Sequence, residues 1–136
     1  MNIAKIMIPK VCTAFLHEDN TVRQGIEIMR HHGFTAIPVL DAEDVYIGSV
    51  SEGDFLRHVL DTGTTDLRQH EHTCIGTLVR REFCPPLHIE AEESQVISAI
   101  LNQNFVPIVD ARGALCGILT RRAVIAYLAE ERGTAI

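Results

Sequence analysis

At two places in the chain, hydroxyls and charges fall where an apolar strand should hand over to a helix. Thr120, Arg121 and Arg122 follow the run Gly117, Ile118, Leu119, and Ser51 with Asp54 follows Gly48, Ser49, Val50. A helix N-terminus offers free N–H groups and partial positive charge, which suits phosphate. A hydroxyl and two guanidinium groups on such a first turn can grip phosphate oxygens, since arginine's planar fork binds them in pairs. The spacing Ser51-x-x-Asp54 is also an acidic capping box, and capping alone accounts for it. A solvated face likewise accounts for the arginine pair taken alone. No GxSxG, HExxH or phosphate-loop sequence occurs, and no serine, histidine and aspartate are placed by local sequence as a nucleophile with its base. His31-His32 and His70-Glu71-His72 are the metal-like clusters, and both read as surface histidines rather than ligands.

The elements that carry these junctions occur twice. Within Thr35 to Leu60 and Asn104 to Leu128 the sequences align without a gap at an offset of 69 residues, from Thr35 on Asn104 to Val59 on Leu128, so that Pro38 meets Pro107, Asp41 meets Asp110 and Gly48 meets Gly117. Apolar positions agree throughout: Ile37 with Val106, Val39 with Ile108, Val50 with Leu119, Leu56 with Ile125. A repeat of this length implies two copies of one supersecondary unit. Both junctions being polar raises the functional reading, because a two-fold packing would turn them into paired clefts.

Each copy reads strand, helix, strand, strand, helix, with a short apolar helix in front. Ile3, Ile6 and Met7 have helical spacing before Pro9, and Ile75, Leu78 and Val79 echo them behind Thr73 as cap. Val11 to Leu16 reads as extended. Asp19, Asn20 and Thr21 offer caps to a helix with Val22, Ile26 and Met29 on one face, closed by Gly33. Phe55, Leu56, Val59 and Leu60 are expected on the buried side of the helix after Ser51. Asp61 to His72 is polar and reads as the connector. Glu92, Glu93 and Ser94 start the next helix, whose apolar face is Val96, Ile97, Ile100 and Leu101.

Composition narrows the function. The chain has 136 residues, 46% hydrophobic and 22% charged, with a formal net charge of −6. That balance is ordinary for a soluble domain and lacks the basic face a nucleic-acid binder needs. No run approaches the roughly 18 apolar residues of a membrane span, and no signal-peptide core precedes the first helix. A cytoplasmic protein is expected. Cys12, Cys74, Cys84 and Cys116 have no CxxC spacing and read as buried free thiols.

The pattern A-I-P-V-h-D, a turn, h-h-G-h-h-S-x-x-D and a helix resembles the cystathionine-β-synthase (CBS) domain. Two copies resemble a CBS pair, or Bateman module, over nearly the whole chain, which leaves no room for a separate catalytic domain. The resemblance implies an α+β fold of two β-α-β-β-α repeats, residues 1–65 and 66–136, packed as a pseudo-two-fold pair. It also implies two clefts for adenosine-containing ligands, each combining strands of one repeat with the junction of the other. The first would use Ala14, Phe34, Thr35, Ala36 and Pro38 with Thr120, Arg121 and Arg122. The second would use Leu87, His88, Asn104, Phe105 and Pro107 with Ser51 and Asp54, the family's ribose-binding aspartate; Ala123 stands at that position in the other copy.

GFTAIPVLD, NFVPIVD and GILTRRAV are further similar to the short CBS-pair regulators that bind the bacterial second messenger cyclic di-AMP. Those relatives carry a lysine before the first strand where this chain has Cys12, with Lys10 two residues upstream. They have Cys-Val where this chain has Pro107-Ile108. The resemblance implies a non-catalytic sensor without cofactor, dimeric, that changes the activity of partner enzymes according to ligand state. An AMP, ADP or ATP sensor working through Asp54 is the alternative, and a small enzyme using Arg121 and Arg122 on a phosphorylated substrate a third. Cyclic di-AMP is expected at the first cleft and mononucleotides at the second, because a bare carboxylate suits a free ribose diol and repels phosphates.

Overall fold

The computed structural model describes residues 1–33, 35–131 and 133. It divides into two compact units, one formed by Met1–Thr13 with Cys84–Ile136 and the other by Ala14–Phe83. These units do not follow the 1–65 and 66–136 division of the sequence. Each repeat's leading segment is built into the unit of the other repeat.

In the Ala14–Phe83 unit the order is β2 (Leu16–His17), α2 (Val22–His32), β3 (Ala36–Leu40), β4 (Tyr46–Ser51) and α3 (Glu52–Thr62). The second unit runs β5 (Leu87–His88), α4 (Glu93–Asn102), β6 (Phe105–Val109), β7 (Leu115–Thr120) and α5 (Arg121–Glu131), preceded in sequence by α1 (Ile3–Ile6) and β1 (Ile8–Pro9). The predicted β-α-β-β-α order of each repeat is what the structure shows. The leading helices are shorter than the spacing implies: α1 has four residues, and its counterpart is a 3-10 turn, Ile75–Thr77. Cys74, not Thr73, occupies the cap of that turn. Another 3-10 turn, Lys10–Cys12, takes up the first two residues of the run expected to be extended from Val11.

Capping follows the sequence closely. Thr21 and Gln24 close a capping box on α2, and Gly33 ends it in the left-handed conformation at φ 68°. Both hairpin turns are tied by an aspartate. Asp41 Oδ1 accepts the Glu43 and Val45 N–H groups, and Asp110 Oδ1 accepts those of Arg112 and Ala114. The left-handed turn residue is Asp44 in one hairpin and Gly113 in the other.

Each unit has one sheet, ordered β2-β3-β4 in the first and β1-β7-β6-β5 in the second. Pro38 and Pro107 sit inside these sheets without breaking them. The parallel strand beside β3 starts pairing only at Val39, and that beside β6 only at Ile108, so each proline lacks an N–H where no neighbour asks for one. One core gathers Leu16, Val22, Ile37, Val39, Val50, Phe55 and Ile75; the other gathers Ile3, Val96, Val106, Ile108, Leu119 and Val124. The matched pairs Ile37/Val106, Val39/Ile108 and Val50/Leu119 are all fully buried. Leu56 and Ile125 are not, at 59% and 53% exposed, and Leu60 is 70% exposed. Only Phe55 on α3 lies in the core, so Leu56 and Leu60 form an outward apolar stripe instead of the expected buried face.

The thiols also differ from expectation. Cys84 alone is buried, Cys116 is half-buried, and Cys12 and Cys74 are exposed. Burial pushes the Cys84 thiol up to about 11, against a smaller opposing pull from its hydrogen bond with Gln103. The thiolate is the reactive form. Iodoacetamide at pH 8 should therefore label Cys12 and Cys74 in the native protein and reach Cys84 only with denaturant, as read by peptide mass spectrometry. Native labelling of Cys84 at the rate of Cys12 would contradict its burial.

Candidate functional site

The Thr120 junction starts α5. Thr120 Oγ1 accepts the Ala123 N–H at 3.1 Å, which caps the helix. Arg121 turns back onto the end of α4, its Nε donating to the Ile100 carbonyl and its NH2 to the Gln103 carbonyl, each at 3.1 Å. Basic groups at a helix C-terminus satisfy orphan carbonyls and oppose the negative dipole end. Arg121 thus has a structural task that its sequence position does not disclose. Arg122 is exposed and makes no hydrogen bond or ion pair among the described residues. The 3-10 turn carrying Lys10 and Cys12 packs on β7 of the same unit, with Lys10 close enough to Cys116 to act on it electrostatically. Lys10, Cys12, Thr120, Arg121 and Arg122 therefore share one unit.

The Ser51 junction starts α3 and carries more than the sequence shows. Asp54 Oδ2 accepts the Ser51 N–H at 2.8 Å and the Ser51 hydroxyl at 3.0 Å. Its other oxygen faces two guanidinium groups, Arg80 Nε at 3.0 Å and Arg57 NH1 at 3.2 Å. The Asp54 side chain is only 3% exposed. Arg80 also donates to Ser51 Oγ at 3.3 Å and lies over the Phe83 ring, 4.3 Å from its centre. The bare carboxylate on which the sequence argument rested is thus a neutralised one. Arg80 went unseen because it lies far from Asp54 in sequence, in a stretch without a pattern.

The remaining predicted residues are divided between the units. Ala14, Thr35, Ala36 and Pro38 belong with Ser51 and Asp54. There Ala36 pairs with Ser51 across the β3–β4 hairpin, and the Thr35 carbonyl accepts the Glu52 N–H. Leu87, His88, Asn104, Phe105 and Pro107 belong with Thr120, where Phe105 pairs with Thr120 and the Asn104 carbonyl accepts the Arg121 N–H. His88 Nδ1 accepts the Glu90 N–H. Phe34 lies outside the described residues.

The histidine clusters separate. His31 and His32 are exposed and meet edge to face. His70, read from sequence as a surface residue, is 1% exposed and packs against His58 with ring centres 5.1 Å apart. Its Nε2 bonds the Thr64 carbonyl, while His70 Nδ1 and His58 Nε2 are buried without partners among the described residues. No group of three or more histidine, cysteine or acidic side chains among the described residues is arranged for a metal ion. Burial first, and the neighbouring His70 second, hold His58 below its ordinary 6.5, against a weaker opposing pull from Asp61. The unfolded chain takes up this proton near 6.5 and the native one only at lower pH. Stability should be full above that value and fall as the pH drops through it toward the lower native pKa. Urea melts at stepped pH should show this slope, and His58→Gln should flatten it; an unchanged slope would remove His58 as its source.

Comparison with known proteins settles the family. The CBS-domain family model matches residues 3–61 and 85–130. The chain belongs to the CBS-domain family. Among solved structures it resembles CbpB in complex with cyclic di-AMP, with a TM-score of 0.87 at 19% identity, covering 98% of this chain and 87% of that one. CbpB of Listeria monocytogenes in complex with cyclic di-AMP follows at 0.81 and 21% identity, covering 98% of both chains. CBSX2 in complex with AMP gives 0.76 and 21% identity, covering 96% of this chain and 98% of that one. These identities carry the fold. The inosine-5'-monophosphate dehydrogenase of Methanocaldococcus jannaschii is 24% identical over 121 residues, which span 89% of this chain and 22% of that enzyme. The match is confined to a fraction of the enzyme's length. No helix among the described residues is long and apolar enough to cross a membrane.

Proposed function

We propose that this CBS pair is a non-catalytic, cytoplasmic sensor of adenine nucleotides that takes cyclic di-AMP at the Thr120–Arg122 junction and regulates partner enzymes by ligand state. The observation that carries the reading is Arg122, an exposed guanidinium without a partner among the described residues, on the first turn of an 11-residue helix. Such a group loses nothing within the protein when it meets a phosphate, and the helix end adds to the attraction. The CbpB complexes, which hold cyclic di-AMP on the same fold, support that ligand. Ala123 beside it places no carboxylate against the phosphates.

A second reading, an AMP, ADP or ATP sensor, is favoured by Asp54 at the other junction and by the CBSX2 complex with AMP. The chain acts as a homodimer in this proposal, through the outward stripes of α3 and α5. Ile3 and Ile75 of the short leading segments are buried in the cores of their own units, whereas Leu56, Leu60 and Ile125 remain uncovered within their units.

Titration calorimetry with cyclic di-AMP, AMP, ADP and ATP tests the proposal, with chromatography of each nucleotide afterwards. Binding of cyclic di-AMP without conversion is the expected result. Absence of cyclic di-AMP binding alongside AMP or ADP binding selects the second reading, and conversion of any nucleotide selects an enzyme.

A further inference from the structure

The two repeats differ together at two positions, which meet in space in the unit that carries Ser51. Gly48 on β4 lies against the backbone of Arg80: a Cβ there would stand 2.7 Å from the Arg80 carbonyl oxygen. Gly117 on β7 lies in the same way against the Ile8 carbonyl. Ser49 bridges to Arg80 as Ile118 pairs with Ile8, both antiparallel. Arg80 and Ile8 are therefore equivalent, as are Asp54 and Ala123. One unit holds guanidinium and carboxylate at these places and the other an isoleucine and an alanine. The fold accepts either pair, and helix capping needs only the aspartate, so neither explains why the arginine accompanies it.

A carboxylate offers about four acceptor directions, and those of Asp54 are taken by the Ser51 N–H, the Ser51 hydroxyl, Arg57 and Arg80. A ribose diol bringing two O–H donors must displace some of them. The Ser51 bonds hold the start of the helix. On the other oxygen Arg80 is the nearer group, and it is fixed by its Phe83 stacking and by its backbone bond to the Ser49 carbonyl. A neutral nucleoside that breaks the Arg80–Asp54 pair leaves the guanidinium with no new anion. A nucleotide offers its phosphate in exchange.

We propose that Arg80 determines specificity at the Ser51–Asp54 junction, guarding the carboxylate from uncharged ribosides and yielding it to ligands that carry both a free ribose diol and a phosphate. This rests on the reading of that junction as an adenine-nucleotide site, and it reverses the expectation that Asp54 repels phosphates. Losing one charge-assisted bond corresponds to roughly tenfold to a hundredfold in affinity, so the discrimination should have that size.

The test compares adenosine with AMP by calorimetry on the whole chain. The native protein should prefer AMP by about tenfold or more. Arg80→Met, which keeps an unbranched stem beside Phe83, should tighten adenosine and weaken AMP until the two differ by about threefold or less. Arg57→Met should shift the ratio less than Arg80→Met does, because the Arg57 side chain is 65% exposed and meets water when displaced. An equal or larger shift would move the specificity to Arg57 and overturn the assignment. Equal weakening of both ligands in Arg80→Met, or an unchanged ratio, overturns the assignment while the nucleotide site stands. If neither ligand binds the native chain, the reading of the junction fails and the inference with it. Circular dichroism melts accompany each variant. Should Arg80→Met lose the fold, Arg80→Gln is judged by the same ratio.

Discussion

Gly117→Ala should destabilise its unit by about 3 kcal/mol, near the upper end of what overpacking costs. The added methyl would overlap the Ile8 carbonyl oxygen and crowd the Met7 sulfur, 3.1 Å away. A flexible side chain could swing aside, but here the nearest atom is backbone. That backbone is held by the pairing of Ile8 with Ile118 and Pro9 with Gly117, and Ile3 anchors the preceding turn in the core. The variant must either bend β7 or release β1 and expose the unit's core edge. Gly33→Ala is the contrast: its φ of 68° is left-handed, as that of Gly117 is not, but open space surrounds it. It should cost about 1 kcal/mol, the conformational penalty alone. Urea denaturation followed by circular dichroism suits a chain without tryptophan. A loss at Gly117→Ala no larger than that at Gly33→Ala would show that the close approach of β1 to β7 constrains stability far less than its contact distances imply.

That close approach marks the limit of what the sequence disclosed about the fold. Hairpins, helices and caps are local properties. Alternation, Thr21, Gly33 and the turn aspartates each report on a few residues, and these elements stand where expected. The exchange of leading segments is not local. Ile8-Pro9 and Arg80-Arg81 are too short for any periodicity, and their pairing is decided by which strand offers a residue without a side chain. Gly48 meeting Gly117 in the repeat alignment was the available signal, and it reads equally as a strand glycine of no particular use. Helix α3 failed for a different reason. Its apolar residues form two stripes, Phe55 with Val59 and Leu56 with Leu60, and only packing decides which stripe faces the sheet.

The site was legible by residue type and not by commitment. Thr120, Ser51 and Asp54 cap helices as their spacing implies. Whether a charged side chain is free for a ligand depends on neighbours distant in sequence. Arg80 brings a guanidinium to Asp54 and changes what that carboxylate can do. Arg121 and Arg122 are adjacent and chemically identical, yet successive residues of a helix point about 100° apart. One reaches the carbonyls that end α4, and the other is left without a partner among the described residues.

This difference gives the sharpest functional prediction. Arg122→Ala should lower cyclic di-AMP affinity by roughly tenfold to a hundredfold, the worth of a charge-assisted phosphate bond. Its melting curve should not move, because no bond inside the protein is lost. Arg122→Lys should recover only part of the affinity, since an ammonium supplies charge without the paired donors of the fork. Arg121→Ala should behave the other way. The Ile100 and Gln103 carbonyls would lose their donors, and stability should drop by about 1 kcal/mol. Water can reach part of this helix end, which keeps the loss moderate. Binding should weaken less than in Arg122→Ala, as the Arg121 guanidinium is already directed to α4. Calorimetry and urea melts on the three variants separate these outcomes. Equal loss of affinity at both arginines with unchanged stability would mean that Arg121 leaves α4 in solution and that both side chains serve the ligand.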